Sequence, residues 1–155
     1  MTYKIPITLF VLALLLCFEA ARVLEIGGIA PDLVLIFFVV LFTATKFGRS
    51  LTVGEFATCI LFVCAASAIL FRFWFPEMLT VSCVVALIYV LRNKAIGTPA
   101  LDLLLFLVAG TLLLYGALAV MNMGGFSIKI ALEDAAYTAL LGLISWSVVR
   151  YISYA

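Results

Sequence analysis

Five polar side chains stand where this apolar chain could hold a ligand: Asp32, Asp102, Asn122, Glu133 and Asp134. Carboxylates and an amide accept hydrogen bonds and balance cations, so a polar pocket within a helix bundle is the chemistry they could support. All five lie near the ends of apolar runs, none clearly at a centre. A charge at a helix centre would cost about 2.5–3.5 kcal/mol and would point to function. Near a helix start the same carboxylate has an ordinary role, facing the positive end of the helix dipole. Asp102 fits that role, because Thr98 and Pro99 before it already mark a helix start.

Other chemistry is scarce. The sequence has no His, which removes His-based metal sites, Ser-His triads and His proton relays. Its four cysteines, Cys17, Cys59, Cys64 and Cys83, fall inside apolar runs at no zinc-like spacing and read as small buried hydrophobes. No nucleophile–base or metal-ligand constellation is visible, so neither an enzyme nor a cofactor is expected.

The elements that must position these residues are membrane helices. A chain of 155 residues that is 68% hydrophobic and 11% charged has more apolar surface than a water-soluble globule can bury. The net charge of +1 carries no message about nucleic acid. The expected fold is all-α: a single integral membrane domain over residues 1–155, a polytopic bundle of about six crossings.

The crossings are expected at about 5–22, 31–46, 52–71, 77–91, 99–121 and 130–151. A cation, Lys4, followed by a short apolar run also fits a cleavable signal peptide, but the spans that follow favour a retained first crossing. Glu19 and Arg22, at i,i+3, can pair near its far end. The second crossing follows Gly27-Gly28 and opens with Pro31, with Asp32 in its first turn. Thr52-Val53-Gly54-Glu55 reads as a capping box for the third. Phe71 to Phe75 reads as an interfacial aromatic turn, with Pro76 starting the fourth helix. Thr98 is the expected N-cap of the fifth. In the last crossing Ala131, Ala135 and Ala139 recur at i,i+4, a row that lets another helix approach closely, inside the bundle or from a partner.

Charge placement orients the bundle. One side carries Lys4, Lys46, Arg49, Arg92, Lys94 and Arg150. The other has Arg22, Arg72 and Lys129, offset by Glu19, Glu25, Asp32, Glu77, Glu133 and Asp134. Cations gather on the cytoplasmic side, so both termini are expected there.

Ile29-Ala30-Pro31-Asp32-Leu33-Val34-Leu35, leading the second crossing, resembles the bacterial rod shape-determining MreD family, in which Pro-Asp or Pro-Asn and Leu open the corresponding helix. The order of apolar segments is similar over nearly the whole chain, as is a fourth helix ending in cations, Leu91-Arg92-Asn93-Lys94. The third crossing departs from the pattern. Gly54-Glu55 and then Ala65-Ala66-Ser67-Ala68 stand where the family carries a glycine-rich run ending in Asp. The resemblance implies a non-enzymatic inner-membrane scaffold of the cell-elongation machinery. Its partners would be an MreC-like bitopic protein, the enzymes of side-wall peptidoglycan synthesis and an actin-like filament protein. Asp32 matches the family motif and, with the Ala131, Ala135, Ala139 row, is the expected partner contact.

The competing class is the substrate-binding membrane subunit of an energy-coupling-factor vitamin transporter, which also has six crossings. That function needs polar groups converging on a pocket.

Overall fold

The computed structural model describes residues 4–26, 29–44, 51–70, 75–92, 98–121 and 127–154. They form six helices: α1 (Lys4–Ala20), α2 (Leu33–Ala44), α3 (Val53–Leu70), α4 (Phe75–Leu91), α5 (Pro99–Val120) and α6 (Ile128–Tyr154). Two segments, Pro99–Val120 and Ile128–Ile152, are long and apolar enough to cross a membrane; Leu33–Ala44, Val53–Ile69 and Glu77–Leu91 are shorter apolar helices. Most of the expected aromatic turn (residues 71–74), the cations Lys46, Arg49 and Lys94, and Asn122 lie outside the described residues.

Helix α2 is the central post. It packs against α1, α4, α5 and α6, while the outer helices touch in the order α1, α3, α4, α5, α6. The reason is in its composition: LVLIFFVVLFTA is apolar all round, and nine of its residues are buried. Close approach between the helices depends on small residues. A Cβ at Gly110 of α5 would sit 3.2 Å from Leu35 of α2 and 3.4 Å from Ile88 of α4. At Gly142 of α6 a Cβ would collide with Leu107 of α5.

The outer helices turn apolar side chains outward as well as inward. Leu12 and Leu16 of α1 are buried, yet Ile7 and Phe10 are exposed; Ile69, Val120 and Ile144 are exposed too. Exposed apolar surface in this density marks a face that meets lipid or other protein rather than water alone. Many buried hydroxyls are satisfied within their own helix. Thr43 donates to the Val39 carbonyl at 2.8 Å, Ser82 to Met78 at 2.7 Å and Thr111 to Leu107 at 2.9 Å.

Helix starts follow local chemistry, with two departures from expectation. The capping box forms in both directions: the Thr52 N–H donates to Glu55 Oε2 at 2.9 Å, and the Glu55 N–H to Thr52 Oγ1 at 3.3 Å. Helix α2, however, begins at Leu33 rather than Pro31. Asp32 is its N-cap, with Oδ1 accepting the Leu35 N–H at 2.8 Å. Thr98 occupies the N-cap position of α5, but its side chain makes no cap bond, leaving Pro99 at the first helical position to set the start. The cysteines also differ from expectation: only Cys59 is buried, Cys64 is half-buried, and Cys17 and Cys83 face outward. Exposed neighbours on the same helices, such as Leu14 and Leu87, are apolar too, so position on the helix rather than thiol chemistry sets which way these cysteines face.

Candidate functional site: a polar cavity above the central helix

The chain turns sharply after α1. Arg22 adopts φ 49°, a left-handed conformation uncommon outside glycine, and its guanidinium pairs with Glu25 at 3.2 Å. Ile26 and Ile29 then exchange backbone hydrogen bonds of 2.9 and 3.1 Å, and Pro31 and Asp32 return to the end of α1. Tyr137 of α6 fastens this turn by donating to the Leu24 carbonyl at 2.9 Å.

That geometry brings the end of α1, the cap of α2, the first turn of α4, the end of α5 and the start of α6 together. Between them lies a cavity of about 130 Å³ lined by Glu19, Arg22, Asp32, Glu77, Tyr115 and Asp134, with Ala30, Pro31, Met78, Leu114 and Leu118 as its apolar wall. Asp32 and Asp134 are buried, 6% and 4% exposed. Asp32 is held by its cap bond, and Asp134 accepts the Thr138 hydroxyl at 3.2 Å. Tyr115 directs its hydroxyl at the Asp134 carboxylate. Glu19 is different. One side of its carboxylate faces the Val34 N–H at the open start of α2, and its Oε2 is buried with no hydrogen-bond partner among the described residues.

Two of the five expected pocket residues, Asp32 and Asp134, are therefore brought together. Asp102 is buried in the first turn of α5, away from this cavity. Glu133 points outward and pairs with Lys129 at 3.7 Å. The expected Glu19–Arg22 pair gives way to Arg22–Glu25, because the left-handed turn carries Arg22 off the helix face that Glu19 occupies. Sequence reasoning missed Glu19, Glu77, Arg22 and Tyr115 as pocket residues. The signal was present: helices alternating in direction place Glu19, Asp32, Glu77 and Asp134 at the same end of the bundle.

Ala131, Ala135 and Ala139 are buried, at 1%, 3% and 8% exposure, on a helix that packs against α5 and α2. The row serves packing within the bundle. No family model matches this chain, and no curated protein and no solved structure was found to match it.

A second concavity lies where the ring of outer helices ends. Between α1 and α6, with α2 as its floor, runs an apolar groove of about 320 Å³, lined among others by Val11, Leu15, Phe37, Val40, Leu141 and Ser145. Among the described residues, no three carboxylates or thiols meet at a spacing that could hold a metal ion.

Proposed function

We propose that this chain is a non-enzymatic, MreD-like scaffold of the bacterial inner membrane. In this reading it has six crossings, both termini are cytoplasmic, and it binds the transmembrane helix of an MreC-like bitopic partner in the elongation machinery. Through that partner it would stand beside the wall-synthesis enzymes and the actin-like filament protein. The observation that carries the reading is the apolar groove between α1 and α6, floored by the helix that the Ile29–Leu35 motif opens. Helices in lipid associate through close packing and a few polar contacts rather than apolar burial, and the groove offers both a concave apolar floor and the Ser145 hydroxyl. Its charge pattern supports the orientation: Lys4, Arg92 and Arg150 lie at the end opposite Glu19, Asp32, Glu77 and Asp134.

Asp32 and the alanine row act on a partner through the shape of the bundle in this proposal, since both are buried. The test fills the groove without touching the core. Val11→Trp and Ser145→Trp should abolish co-purification with the bitopic partner and turn rod-shaped cells round, while the protein stays inserted at normal abundance. Retained capture and retained shape would remove the scaffold reading.

A second reading, a substrate-binding subunit of a small-molecule transporter, is favoured by the polar cavity, where carboxylates from four helix ends converge. Loss of vitamin uptake on depletion, with cell shape unchanged, would select it.

A further inference from the structure

We propose that the cavity above α2 is a binding site for an organic ammonium group. Four carboxyls, those of Glu19, Asp32, Glu77 and Asp134, surround it, against the guanidinium of Arg22, which is bonded to Glu25 and also attracts Glu77. Carboxyls that share a small, poorly hydrated space must either take up protons or be matched by a cation, and a ligand that brings charge together with N–H donors meets that need. Asp32 has a partner in the Leu35 N–H, and Asp134 in the Thr138 hydroxyl, with the Tyr115 hydroxyl directed at it as well. Glu19 Oε2 is buried and has none among the described residues, so the cavity holds an acceptor with no donor from them.

The kind of cation follows from the spacing and the walls. No three of these carboxylates meet closely enough to share a metal ion. A ligand must instead reach separate carboxylates, as the three diverging N–H groups of a primary ammonium do. Met78, Leu114 and Leu118 supply an apolar wall for a short alkyl stem. At about 130 Å³ the cavity exceeds the roughly 10–15 Å³ that one water requires and suits a small organic group. A free amine and the lysine side chain of a partner protein share this chemistry.

The site stands independently of the scaffold reading, and its failure would leave that reading untouched. The test is calorimetric titration of the purified protein in lipid nanodiscs with ethylammonium chloride, against sodium chloride at equal ionic strength. Saturable binding of ethylammonium and none of sodium is expected. Glu19→Gln should weaken it at least fivefold, and Leu118→Trp, which fills the cavity without changing charge, should abolish it. Glu133→Gln, outside the cavity, should bind as the wild type does. If Glu19→Gln fails to fold, Leu118→Trp and Glu77→Gln decide. Titration with N-acetyl-lysine amide separates the sources: binding of both probes assigns a lysine side chain, and binding of ethylammonium alone assigns a free amine. Absence of saturation, equal binding of sodium, or wild-type affinity in the cavity variants overturns the proposal.

Discussion

Arg92 lays its guanidinium 3.8 Å from the centroid of the Tyr89 ring, and the two side chains share one acceptor. The Tyr89 hydroxyl and Arg92 Nη2 each donate to the Leu51 carbonyl at 3.0 Å. Tyr89 in turn stacks on Phe56 of α3 at 4.1 Å and 11°, and meets Phe42 of α2 edge-on at 5.9 Å. One aromatic cluster thus ties α2, α3 and α4 together at the end of the bundle opposite the polar cavity.

Removing the cation should loosen that end. Arg92→Met is expected to destabilise the protein by about 1–3 kcal/mol, from a lost cation–π contact and a lost charged hydrogen bond. Tyr89→Phe, which keeps the stack, should cost only about 0.5–1.5 kcal/mol. Thermal unfolding in detergent measures both, and equal losses would show that the ring and the charge do not act separately.

Asp32 caps the most buried helix of the fold. Asp32→Ala should cost about 1–2 kcal/mol, whereas Asp32→Asn keeps an oxygen for the Leu35 N–H and should cost a few tenths. If Asn is as harmful as Ala, the charge in the cavity matters more than the cap.

Close packing of α6 predicts a contrast between two glycines. Gly142→Leu would drive a side chain into Leu107 and should reduce the amount of folded protein several-fold in the membrane. Gly54→Leu meets nothing within 4 Å of its Cβ and should be tolerated. Ala135→Leu belongs with Gly142→Leu, because Ala135 is buried between helices. Abundance of the three variants in isolated membranes checks the order.

Orientation is tested by labelling. In a Cys-free background, Val23→Cys and Thr98→Cys are both exposed positions at opposite ends of the bundle. An impermeant thiol reagent applied to intact cells should label Val23→Cys alone. Labelling of both from one side would remove the six-crossing arrangement.

Much of the fold was legible because each helix announces itself locally. Thr52 and Glu55 form the capping box that their spacing spells, and Pro99 opens α5 as a proline at that position does. The site was legible only in part. Helical periodicity and end signals describe one segment at a time, whereas the cavity is made where separate segments meet. Glu19 reads as one half of an i,i+3 pair until the left-handed Arg22 turns the chain and Arg22 takes Glu25 instead. Glu77 reads as a helix-start acid, and nothing in its own helix says that Asp134 faces it across a void. The alanine row shows the converse: spacing announced a close approach, and the row lies buried on a helix that packs against α5 and α2.

The central position of α2 has a consequence for biogenesis. Three of the four helices packed on it, α4, α5 and α6, follow it in the chain. When α2 is made, only α1 among the helices that pack on it has been made before it. Its other native neighbours arrive later, the last of them, α6, after α4 and α5. Assembly therefore proceeds by wrapping later helices around an early one, and a chain truncated before Ile128 would leave the post of the bundle uncovered on the α6 side.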